Sequence, residues 1–94
     1  MKMTINESNY TGEYTEITIN QSKKTVTFRK GETPLTLKFG KDGESVQVFW
    51  EDKKFPFCTG FKIESNLWYM SSGDYSRDHE NPYAAAAQLA FNLI

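Results

Sequence analysis

Leu35-Thr36-Leu37-Lys38-Phe39-Gly40-Lys41-Asp42-Gly43-Glu44-Ser45-Val46-Gln47-Val48-Phe49-Trp50 is the stretch on which the fold turns. Leu35, Leu37 and Phe39 alternate with Thr36 and Lys38; after a polar break, Val46, Val48 and Trp50 alternate with Gln47 and Phe49. Side chains of a strand point alternately to its two faces, so a period of two marks half-buried strands. Gly40-Lys41-Asp42-Gly43 between them is a hairpin signal, because Gly43 can take a positive φ without a Cβ clash. Connections this short pair consecutive strands antiparallel.

The same pattern extends outward in both directions. In Glu13–Asn20, Thr15, Ile17 and Ile19 share one face, and Tyr14, Glu16 and Thr18 the other. Val26 and Phe28 alternate with Thr25, Thr27 and Arg29. Asn20-Gln21-Ser22 and Lys30-Gly31-Glu32-Thr33 are turn-like, and Glu51-Asp52-Lys53-Lys54 is another polar break. Phe55-Pro56-Phe57 and Gly60-Phe61-Lys62-Ile63 suggest a strand that Pro56, lacking an amide donor, confines to a sheet edge. Asn66-Leu67-Trp68-Tyr69-Met70 reads as a short buried strand, and a further strand is placed near Met3–Asn6.

Near the C-terminus the period changes. Asn81 is an N-cap, Pro82 suits the first helical position, and Asp78 and Glu80 precede the positive helix end. At ~100° per residue, Tyr83, Ala86, Ala87, Leu89, Ala90, Leu93 and Ile94 fall on one face, with Gln88 and Asn92 opposite. The expected architecture is a single α+β domain over 1–94: strand-rich over 1–70, a polar loop over 71–80 and a helix over 81–94. Its antiparallel meander sheet has five to six strands, with one C-terminal amphipathic helix packed on one face. The inward set is Ile17, Ile19, Val26, Phe28, Leu35, Leu37, Phe39, Val46, Val48, Trp50, Ile63, Trp68, Leu89 and Leu93.

Composition narrows the function. Eleven Lys/Arg against twelve Asp/Glu give a net charge of −1, which speaks against both a generic nucleic-acid binder and an acidic DNA mimic. No window approaches the ~18 apolar residues of a membrane span. Met1-Lys2-Met3-Thr4-Ile5-Asn6 lacks the apolar core of a signal peptide, so a cytoplasmic location is expected. The single cysteine, Cys58, excludes an intrachain disulfide and every multi-cysteine metal site. No cofactor or metal is called for. Aromatic residues make 15% of the chain, more than one short helix can bury, and this predicts a homo-oligomer.

The densest ionisable cluster is Gly73-Asp74-Tyr75-Ser76-Arg77-Asp78-His79-Glu80, which holds the only histidine. His79 is a candidate general base or metal ligand beside Asp74, Asp78 or Glu80. The run lacks HExxH and EF-hand spacing, however, and its bland reading is a solvated lead into the helix. Cys58 is a candidate nucleophile activated by His79, yet its flanking phenylalanines predict an inert, buried thiol. Serine and glycine spacings match no GxSxG, SxxK, P-loop or dinucleotide pattern. Thr25, Thr27, Arg29, Thr36, Lys38, Gln47 and Phe49 would share the outer sheet face, where basic and aromatic side chains are the ingredients of single-strand binding. Glu16 and Glu51 on that face oppose phosphate. Phe49 breaks the alternation most clearly; with Tyr14, and Phe55 or Phe57 at the edge, it marks an exposed aromatic patch, or else it fills the hollow of a strongly curled sheet or packs beneath the Phe55–Phe61 segment.

In overall style the chain resembles small accessory proteins of bacteriophages, including anti-defence inhibitors such as anti-CRISPR proteins. The similarity lies in the strand-rich body, the aromatic density and the ending Asn81-Pro82-Tyr83-Ala84-Ala85-Ala86-Ala87-Gln88-Leu89-Ala90. It implies stoichiometric binding that blocks a host protein in a bacterial cytoplasm, or capture of a small signalling molecule. It transfers no functional residue. The leading expectation is therefore a non-enzymatic interaction module that binds a host protein through Tyr14, Phe49, Asp74, Tyr75 and Arg77. The alternatives are oligomeric capture of a small nucleotide ligand, an enzyme using His79 with Asp74 or Glu80, and single-stranded nucleic-acid binding.

Overall fold

The computed structural model describes residues 2–4, 16–27, 34–50 and 53–93, with backbone alone for 91–93. Its strands are β1 (Lys2–Thr4), β2 (Glu16–Asn20), β3 (Thr25–Thr27), β4 (Leu35–Phe39), β5 (Ser45–Trp50), β6 (Cys58–Glu64), β7 (Leu67–Ser72) and β8 (Tyr75–His79). They form one antiparallel sheet in sequence order, followed by α1 (Pro82–Leu93). The α+β meander stands, but with eight strands rather than five or six.

Two expectations are corrected, one of strand count and one of strand position. Part of the polar loop expected over 71–80 is a strand: β8 pairs with β7 from Trp68↔His79 to Ser72↔Tyr75. Gly73, at φ 60°, opens the two-residue loop between them, where a tight hairpin calls for a positive φ. The segment after Pro56 is not an edge either, because β6 pairs with β5 on one side and β7 on the other. Pro56 lies ahead of Cys58, in the connection, so its missing amide interrupts no ladder.

The core side of the sheet carries Ile17, Ile19, Val26, Leu35, Leu37, Val46, Val48, Trp68 and Met70, all buried. Phe39 and Trp50 pack against this cluster but are only partly covered. Ile63, expected inside, is 45% exposed. On β6, Cys58 and Gly60 face the core, so alternation turns Ile63 outward with Phe61; it lies at the bulge where the register steps from Lys62↔Trp68 to Glu64↔Leu67. Phe28 lies outside the described residues, as does the side chain of Leu93.

The sheet curls into a half-barrel around the helix. Phe39 on β4 meets Trp68 on β7 edge-on, with ring centroids 5.7 Å apart. In a flat sheet those strands would stand about 14 Å apart. The cross-strand row between them runs Phe39, Val46, Gly60, Met70. A Cβ on Gly60 would lie 2.6 Å from the Tyr69 carbonyl oxygen and collide with the Met70 sulfur. The missing side chain lets the backbones close and the sheet fold inward.

Within the curl, α1 packs against β2, β3, β4, β7 and β8. Asn81 caps it: its Oδ1 accepts from the amides of Tyr83 (2.9 Å) and Ala84 (3.4 Å). The helix is not amphipathic in the expected sense, since every residue from Tyr83 to Ala90 is buried, including Gln88. Alanine has so little bulk that the sheet closes round it. Among the described residues no helix is long and apolar enough to cross a membrane.

Gly60→Ala is expected to cost about 1–3 kcal/mol, the usual range for overpacking where backbone must give way. Its midpoint of urea unfolding should fall accordingly; an unchanged midpoint would show that the curl does not depend on this close approach.

Candidate functional site

The curl divides the molecule into a concave side filled by α1 and a convex side built from the alternate residues of each strand. Phe49 is on the convex side, half-buried, with the Lys38 ammonium 4.9 Å from its ring centroid. It shares that side with Thr25, Thr27, Thr36, Lys38, Gln47 and Glu16. Arg29, Glu51 and Tyr14 lie outside the described residues.

Asp74 is exposed in the β7–β8 turn, and Tyr75, 55% exposed, begins β8. Arg77 stands opposite Met70 on the core side, its guanidinium donating to the Ser76 carbonyl at 2.6 Å. Asp74 and Tyr75 therefore come together at one end of the sheet. Phe49 lies three strands away and Arg77 faces inward, so the expected contacts do not form one surface.

Two possible catalytic pairings come apart as well. Tyr75 to His79 is four steps of strand, about 13 Å, which puts Asp74 and His79 at opposite ends of β8. Cys58 begins β6 at the end of the sheet away from His79. Burial pushes the Cys58 thiol up to about 12, so almost none of it is thiolate at neutral pH. His79 Nδ1 accepts the Asn81 amide at 2.9 Å, which places the proton of the neutral ring on Nε2. His79, Glu80 and Asn81, with Met3, Gln21, Pro82 and Tyr83, line an open groove of about 450 Å³ between β1 and the start of α1. Burial raises the pKa of Tyr83 on its wall. Among the described residues no group of three or more His, Cys, Asp or Glu side chains is placed to hold a metal ion.

Of the exposed apolar side chains, Tyr75 and Phe55 were singled out by sequence reasoning, as a contact and as part of an aromatic patch, and Phe61 and Ile63 were not. Phe61 on β6 is 51% exposed and stands opposite Tyr69 on β7, with ring centroids 5.5 Å apart. Ile63, two residues beyond Phe61 on β6, faces the same way and is 45% exposed. At the other end of the sheet, Phe55 projects from the β5–β6 connection. One signal for Phe61 was available: if Cys58 is buried, strand alternation sends Phe61 outward. Comparison with protein-family models, curated proteins and solved structures gives no match to this chain.

The Cys58 thiol is expected to resist Ellman's reagent in the native protein and to react on unfolding. Its pH effect has a definite sign. The unfolded thiol ionises near 9 while the buried one keeps its proton to about 12, so the unfolded state binds fewer protons between these values. Stability therefore falls there by up to about 1.4 kcal/mol per pH unit and owes nothing to this group below pH 8. Urea unfolding at pH 8, 9 and 10 should show the fall in wild type and less of it in Cys58→Ala; Tyr83 acts in the same direction at higher pH.

Proposed function

We propose that the protein is a non-enzymatic interaction module that works by occupying a surface of another protein, with Phe61, Ile63 and Tyr69 as its central contacts. The observation that carries this reading is the exposure of Phe61 and Ile63 beside Tyr69, on a face with no helix over it. Adjacent apolar side chains in water are a standing cost unless a partner removes them from it, and aromatics are enriched at the centres of interfaces.

Shape supports a foreign partner at this face. A stable interface covers about 800 Å² of each protein, and two convex sheets touch over much less. A complementary surface is a cleft or groove. The resemblance to phage anti-defence proteins makes the partner a host protein of a bacterial cell, blocked by occupation of that cleft. Homo-oligomerisation would use another surface.

A second reading, capture of a small ligand, has one observation in its favour. The groove beside His79 has a volume within the range of small-molecule sites. Glu80 on its rim opposes phosphate, which weighs against a nucleotide signal.

Phe61→Glu, at an exposed position, should leave the urea midpoint within about 0.5 kcal/mol of wild type while abolishing retention of the partner from a bacterial lysate. Retention of the same protein by the variant would sink the reading. Nucleotides and cyclic dinucleotides at saturating concentration should leave the melting temperature unchanged; a dose-dependent rise would transfer the function to the groove.

A further inference from the structure

We propose that the 53–57 connection between β5 and β6 is a docking prong, which inserts the Phe55 ring into an apolar pocket of a partner protein whose rim carries carboxylates. This adds a second contact to the interaction-module reading and rests on it.

Phe55 is 82% exposed, more than any other large hydrophobic side chain among the described residues. The core does not need it. Phe57, two residues on, packs against the core instead, with its ring centroid 6.0 Å from that of Trp50. The connection is braced at both ends. The Lys53 amide donates to the Trp50 carbonyl at 2.9 Å, and the Phe57 amide to the Val48 carbonyl at 2.6 Å. The Phe57 carbonyl in turn accepts from Ser72 Oγ at 2.9 Å. Pro56 fixes its own φ beside the ring. Phe55 is thus held out on a short segment tied to β5 and β7, and little chain entropy remains to be lost on binding. An aromatic side chain displayed in this way has the composition and rigidity of a binding hot spot.

Charge sets the character of the pocket. Lys54 immediately precedes the ring in the chain, and its side chain is exposed. A rim of carboxylates complements it and steers the approach. Tyr75 stands at the same end of the sheet, since its cross-strand neighbour Ser72 is bonded to Phe57. It is placed to pack against the pocket's edge. An anionic membrane also attracts lysine, but a single ring with one adjacent charge gives only marginal attachment there. A pocket that surrounds the ring is the better fit.

The test places the photo-crosslinker p-benzoylphenylalanine at position 55, and separately at position 61, in the full chain irradiated in a bacterial lysate. The expected result at 55 is one protein adduct whose crosslinked peptide carries Asp or Glu. Excess wild-type chain should suppress it by about tenfold or more, and Phe55→Ala should not. Reversing the charge beside the ring (Lys54→Glu) should weaken it to a similar degree. Because the ring is exposed, Phe55→Ala is expected to melt with the wild type. The proposal is overturned by the absence of a protein adduct at 55, by equal competition from Phe55→Ala, or by an adduct indifferent to charge reversal. Co-sedimentation with phosphatidylserine vesicles that Phe55→Ala abolishes would also overturn it, in favour of a membrane surface. An adduct at 61 without one at 55 removes the prong and keeps the interaction module; no adduct at either removes both.

Discussion

A strand residue without a side chain sets the shape of this molecule. Gly60 occupies the row in which Phe39, Val46 and Met70 project inward, and there the β6 backbone lies against Met70 and the Tyr69 carbonyl. The sheet consequently folds far enough for Phe39 to touch both Trp68 and Tyr83 of the helix. A flat sheet of eight strands would offer an apolar face much wider than one twelve-residue helix can cover. Curled, the same sheet packs its strands around α1, and alanine is suited to the crowded space that results. The buried run Ala84–Ala87 and the absent side chain at 60 are two halves of one packing solution.

Much of this fold was legible because the alternation is a local property. The strands around Ile17–Ile19, Leu35–Phe39 and Val46–Trp50 followed from a period of two, and the helix start from Asn81 and Pro82. What was not legible depends on neighbours distant in sequence. β8, Tyr75-Ser76-Arg77-Asp78-His79, has no apolar alternation; it is a strand because a glycine-initiated turn folds it onto β7. Gln88 looked solvated because a helical projection knows nothing of a sheet that closes round it. Ile63 was placed inside because nothing local shows that Cys58 and Gly60 face the core, which gives Ile63 the outward parity of Phe61.

The outward-facing residues were harder to read for the same reason. Phe49 drew attention as an aromatic between Val48 and Trp50, yet Lys38 lies over its ring and leaves it half-buried. Tyr75 was rightly placed at an exposed position, though as the start of a strand rather than in a loop. Phe61 was passed over because it sits in an aromatic run read as a strand confined to an edge, of which only Phe55 or Phe57 was assigned to the exposed patch with Phe49 and Tyr14. Resolving that run required knowing that the chain enters the sheet at Cys58. From there Phe57 packs against the core, Phe61 turns outward and Phe55 is left in the connection.

β6 therefore couples the scaffold to the surface it presents. Cys58 and Gly60 face the core, while Phe61 and Ile63 face outward on the same strand, and Phe55 leads into it. The bend that Gly60 permits also raises Phe61 and Tyr69 on the outside, because a sheet made concave on one side becomes convex on the other. A change that relaxed the curl would loosen the packing round α1 and flatten the contact face together. Core and contact surface are thus under one geometric constraint, and a partner shaped to the convex side reads, indirectly, the absence of a single side chain within.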